Sequence, residues 1–109
     1  MKLIRDQVPA LMAAAGQPCA YHLAGPAEYE LRLRAKLLEE AAEAAEAAGR
    51  AALLDELGDV LQVLYALAAL AGYGPAVEHA RARKTRVRGG FARRVVWHGP
   101  QPANPDGAA

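Results

Sequence analysis

Three glycine breaks, at Gly49, Gly72 and the Gly89-Gly90 pair, divide the chain into blocks made almost wholly of helix formers. Glycine has no Cβ and readily takes the backbone conformations that end helices, so these breaks mark where helices stop. The first block, Pro26 to Ala48, opens on a proline, whose fixed φ and missing N–H suit a first helical turn. Its interior is Leu, Ala, Glu, Arg and Lys, all strong helix formers. A second helix is expected from Arg50 to Ala71, and a third after Gly74-Pro75 as far as Arg88. Phe91 to Trp97 (FARRVVW) is β-branched and aromatic, which predicts a short extended segment over residues 91–97, with Phe91 as a core anchor. Residues 1–25 read as an irregular N-terminal segment with one helical turn after Pro9. The Pro- and Gly-rich stretch 99–109 reads as a disordered tail. The expected fold is therefore all-α, an antiparallel bundle of three main helices forming one domain over residues 1–98.

Charge narrows the function classes. Thirteen Lys and Arg against twelve Asp and Glu leave a net charge of +1, which argues against a polyanion-binding surface built on bulk charge. The single cysteine, Cys19, has no intramolecular partner for a disulfide, and no Cys/His cluster suggests zinc. No apolar run reaches the roughly 18–20 residues a membrane span needs. Arg5, Asp6 and Pro9 interrupt what otherwise looks like a signal peptide. A cytoplasmic, membrane-free protein is expected. Yet the charge is segregated: nine acids lie between residues 28 and 59, and seven bases with no acid lie between 81 and 94.

The second helix sharpens this. Leu53, Leu57, Val60, Leu64 and Leu67 recur at helical spacing and predict one core face. At 100° per residue, Glu56 and Asp59 fall on a flank shared with Val63, Leu67 and Leu70, while Asp55 and Gln62 take the outward position. Acids that only solvate a surface belong with Asp55. Two apolar flanks also exceed what one neighbouring helix can cover, which predicts burial against another subunit in a homo-oligomer, a dimer or tetramer. Across the Gly49 pivot, Glu43 lies six residues before and Glu56 seven after; Glu40 lies nine before and Asp59 ten after. With a rise of about 1.5 Å per residue, antiparallel helices bring each pair to one height. Four carboxylates so placed repel one another unless a cation joins them, and hard oxygen donors without His or Cys suit Mg²⁺, with Mn²⁺ able to substitute.

Glu39-Glu40-Ala41-Ala42-Glu43 followed by Glu56-Leu57-Gly58-Asp59 resembles the EExxE…ExxD signature of the MazG-like, all-α nucleoside triphosphate pyrophosphohydrolases. Lys2 to Pro9 (KLIRDQVP) is similar to the KLVRDKIP start of a small single-domain branch, and Lys84 to Phe91 (KTRVRGGF) to that branch's closing K-x-x-x-RGGF. The resemblance implies a triphosphate substrate cleaved at the α–β linkage to a nucleoside monophosphate and pyrophosphate, with Mg²⁺ binding the phosphates and activating water. Carried over by position, it implies Glu40, Glu43, Glu56 and Asp59 as metal ligands, with Glu39 assisting a second ion or the attacking water. Lys84 and Arg88, four apart on one helix face, would reach phosphate oxygens, joined by Lys2 and Arg5 if the N-terminal segment folds over the pocket. Gly58 departs from the family pattern, where a helix former is usual; it costs about 1 kcal/mol of propensity and predicts a close helix contact.

Three other readings share these residues. Phosphoribosyl-ATP pyrophosphohydrolase has the same fold and metal motif, although it lacks the KLIRD-type opening. A catalytically silent helical module could bind nucleotide or a partner protein. A nucleic-acid binder would use the basic 81–94 block, but the adjacent acidic cluster counts against it. Packing is the expected role of Cys19, Tyr29 and Trp97, and His22, His79 and His98 have no partner pattern.

Overall fold

The computed structural model describes residues 1–72 and 74–101. Four helices are present, α1 (Val8–Ala14), α2 (Pro26–Glu46), α3 (Arg50–Leu70) and α4 (Gly74–Arg88), and the described residues contain no strand. The chain divides into two compact units, Met1–Val77 and Glu78–Ala109.

The first unit is organised by a hairpin in which α2 packs on α3. Each of these helices has 21 residues, about 30 Å at the standard rise. Pro26 occupies the first turn of α2 as its chemistry requires. That helix stops two residues short of the expected Ala48, because Ala47 already takes an extended backbone (φ −60°, ψ 130°). Gly49 then combines φ 87° with ψ 162°, a region essentially reserved for glycine, and this reverses the chain into α3. Leu33 and Val63, 2% and 7% exposed, form the apolar seam between the two helices.

The expected face is covered only in part, with Val60 and Leu67 half-buried. Leu53, Leu57 and Leu64 are 40%, 49% and 44% exposed, whereas the covered side of α3 is the one bearing Glu56, Asp59 and Val63. Among the described residues of this unit α2 is the one helix that packs on α3, and the flank bearing Leu53, Leu57 and Leu64 stays open. Asp55 and Gln62 are exposed as expected, and Glu56 and Asp59 half-buried. At Gly58 an added Cβ meets nothing within 4 Å, so close helix contact is not what this glycine serves.

The N-terminal segment is more ordered than expected. A turn closed by Val8 N–H donating to Arg5 leads into α1, which has Pro9 in its first turn and ends before Gly16 (φ 78°). Leu3, Ile4 and Val8 are half-buried and share a pocket with Leu33 and Val63.

In the second unit α4 ends where Gly89 (φ 79°) donates its N–H to Thr85. Residues 91–97, expected to be a short extended segment, open on a turn and form no strand. Arg94 N–H donates to Phe91 at 3.0 Å, closing a turn with Arg94 at φ 61°. Without a neighbouring strand to take up its backbone groups, β-branched sequence alone does not make a ladder. Phe91 is 97% exposed and Trp97 80%, so neither is the packing residue expected. Most of the tail predicted to be disordered, residues 102–109, lies outside the described residues, as does Tyr73.

Candidate metal centre

The α2–α3 hairpin brings Glu40, Glu43 and Glu56 together. Each offers a carboxylate oxygen, and these oxygens all lie within 4.8 Å of one another. Glu40 is buried, Glu56 half-buried and Glu43 exposed, so the cluster opens to solvent on the Glu43 side. Glu40 Oε2 and Glu56 Oε2 are buried with no hydrogen-bond partner, an arrangement that costs free energy unless something positive meets them. Glu43 registers the crowding: its carboxyl is pushed above the usual carboxylate range by the charge of Glu40, then by lost hydration, contact with Glu40 and the charge of Glu56. An all-oxygen donor set with two orphaned oxygens fits a hard divalent cation.

Asp59 is not in that group of three. Arg5 Nη2 donates to Asp59 Oδ1 at 2.6 Å. Both residues line a cavity of about 480 Å³ with Lys36, Glu40 and Gln62, over an apolar floor that includes Leu33 and Val63. Glu39 accepts hydrogen bonds from Lys2 Nζ at 3.2 Å and from Lys36 Nζ at 3.4 Å. Its carboxyl is held below the usual range chiefly by the hydrogen bond from Lys2, so it stays ionised. Lys2 and Arg5 therefore do reach the acidic face, each on a different carboxylate. Lys84 and Arg88 lie on α4, four residues apart and both exposed.

The acidic motif does not single out Lys36, yet it is the cation most deeply set in this site. Its ammonium sits 2.9 Å from Glu40 Oε1, and its side chain is only 17% exposed. Burial alone would pull this group down, but contact with Glu40 and the charges of Glu40 and Glu39 hold it above its ordinary value. The signal was present in the spacing: a base three residues before Glu39 and four before Glu40 shares their helix face.

An all-helical fold whose central hairpin gathers carboxylates from both helices, beside a pocket lined with cations, is that of the MazG-like pyrophosphohydrolases. Residues 14–78, more than half of the chain, match the family profile described as phosphoribosyl-ATP pyrophosphohydrolase. The chain belongs to that family, and its activity is pyrophosphohydrolysis of a nucleotide substrate. No curated protein and no solved structure matches it. Among the described residues, no single helix is long and apolar enough to cross a membrane.

Proposed function

We propose that this chain is a Mg²⁺-dependent nucleoside triphosphate pyrophosphohydrolase that cleaves the α–β phosphoanhydride and releases a nucleoside monophosphate and pyrophosphate. The observation that carries this reading is the convergence of Glu40, Glu43 and Glu56 within 4.8 Å, with two buried oxygens lacking any partner. These three residues would hold the ion, with Asp59 joining from the adjoining pocket wall. Bound there, Mg²⁺, or Mn²⁺ in its place, offsets charge on the phosphate oxygens and makes a water easier to deprotonate. The ionised Glu39 orients the attacking water or a second ion. Lys2, Arg5, Lys84 and Arg88 are assigned to the phosphates as part of the same proposal. Water adds its oxygen to phosphorus at the α–β linkage, the bridging P–O bond breaks, and pyrophosphate leaves.

The enzyme is further proposed to act in the cytoplasm as a homo-oligomer, a reading supported by the open leucine flank of α3. Phosphoribosyl-ATP is the second substrate reading, favoured by the family that residues 14–78 match. That match covers the whole acidic motif but neither the KLIRD-type opening nor the RGGF block, and both substrates are consistent with it.

The test is purified protein with Mg²⁺ against a panel of nucleoside triphosphates and phosphoribosyl-ATP, with products resolved by ion-exchange chromatography. Monophosphate plus pyrophosphate is expected, abolished by EDTA and reduced on the order of a hundredfold or more by Glu56→Gln. Diphosphate plus phosphate would overturn the bond assignment. Absence of any turnover would leave a binding module.

A further inference from the structure

Lys36 occupies a position that a surface lysine on an acidic helix does not. Its ammonium lies 2.9 Å from Glu40 Oε1 and 3.4 Å from Glu39 Oε2, and it lines the same cavity as Arg5, Glu40 and Asp59. Glu40 is thereby divided: one oxygen is committed to Lys36, and the other, buried and unpartnered, is the one left to ligate. Glu39 and Asp59 are treated alike, each by a cation from the N-terminal segment, but those contacts are more exposed. Lys2 and Arg5 are 64% and 57% exposed against 17% for Lys36.

We infer that Lys36 is the resident counter-charge of the metal centre, a positioning residue that holds Glu40 to one ligating oxygen and sets how tightly the cluster binds a divalent cation. The inference rests on the metal-binding reading above. Two consequences with opposite signs separate it from a merely structural salt bridge. A fixed positive charge one carboxylate away from the ion repels it, so removing that charge tightens metal binding. The same removal frees Glu40 Oε1 and lets the carboxylate rotate, so the ion is held in a geometry not set for the substrate, and kcat falls. A residue that only held helix structure would weaken both when removed.

The experiment is Mn²⁺ binding to the full chain, read by electron paramagnetic resonance of the free ion, for the wild type, Lys36→Met and Lys36→Arg at one ionic strength. The Mn²⁺ dissociation constant of Lys36→Met is expected to fall by about tenfold, with Lys36→Arg near the wild type. In the hydrolysis assay Lys36→Met should lose kcat while needing less metal for half-maximal rate. An unchanged or weaker Mn²⁺ affinity in Lys36→Met overturns the inference. If circular dichroism shows that Lys36→Met has lost its helices, Lys36→Gln is measured in the same way. Unfolding of both variants also overturns it, since Lys36 then serves packing and not the ion. A wild type that binds no Mn²⁺ overturns the metal-binding reading itself. A wild type that binds Mn²⁺, with a folded charge-removing variant that does not bind it more tightly, sinks only the role of Lys36.

Discussion

The two flanks of α3 are built from the same helix and have opposite fates. One carries Leu53, Leu57 and Leu64 and is left 40–49% exposed. The other carries Glu56 and Asp59 and is covered by α2 and the N-terminal segment, with Val63 only 7% exposed. Hydropathy alone would have assigned these fates in reverse. Half-burying two acids while leucines face outward is unfavourable in an isolated hairpin. The difference makes sense if the acids have a cation to meet and the leucines another subunit to meet. On the proposed function, the covered flank serves the cation and the open one serves assembly.

Breaking the seam gives the largest effect. Leu33 is the most buried apolar residue described, and Leu33→Ala should remove about 2–4 kcal/mol of stability, measured by urea unfolding with EDTA present. A loss under about 1 kcal/mol would mean that the hairpin is held mainly by something other than this seam. Breaking the open flank should do the reverse. Leu57→Glu puts a charge on a half-exposed site, so it should leave the helix content intact. If that flank joins subunits, its dissociation constant rises by at least about tenfold, read by sedimentation velocity over a concentration series. An unchanged sedimentation profile would move assembly to another surface.

How much of this was legible depends on range. Helix limits are local, and Gly49, Gly72 and Pro26 placed them to within one or two residues, because backbone freedom at glycine and ring constraint at proline act where the residues stand. The half-burial of Glu56 and Asp59 was also readable, from their angle on the helix relative to Asp55. Heights across the hairpin brought Glu40, Glu43 and Glu56 together as the arithmetic of the Gly49 pivot implies. The arithmetic could not show that Arg5, 54 residues away in sequence, would take the carboxylate of Asp59. Nor does periodicity say which of two apolar flanks a single neighbour will cover. Phe91–Trp97 forms no strand for a related reason: strand propensity describes fit to a neighbouring strand, and none of the described residues supplies one.

The smallest expected effect draws the finest distinction, because it sets two acids of α2 against each other. The Glu43 carboxyl lies above its ordinary value of 4.5, pushed there first by the charge of Glu40. A carboxyl raised by folding destabilises the fold when ionised, and that penalty fades as pH falls through the raised value. Glu39 is the converse, lowered chiefly by Lys2; its contribution is present above 4.5 and lost as pH falls below that through the lowered value. At pH 8 in EDTA, Glu43→Gln should therefore raise the melting temperature slightly, and Glu39→Gln should lower it slightly. Both differences should shrink toward acid pH, that of Glu43→Gln at the higher pH of the two. Saturating Mg²⁺ should reverse the sign for Glu43→Gln, because the wild type then gains a ligand-linked stability that the variant largely lacks. Thermal unfolding followed by circular dichroism from pH 8 to pH 4, with and without Mg²⁺, reads all of this in one series. A melting temperature for Glu43→Gln below the wild type in EDTA at pH 8 would mean that the cluster is not self-repelling, and the covered flank of α3 would lose its claim to be a cation site.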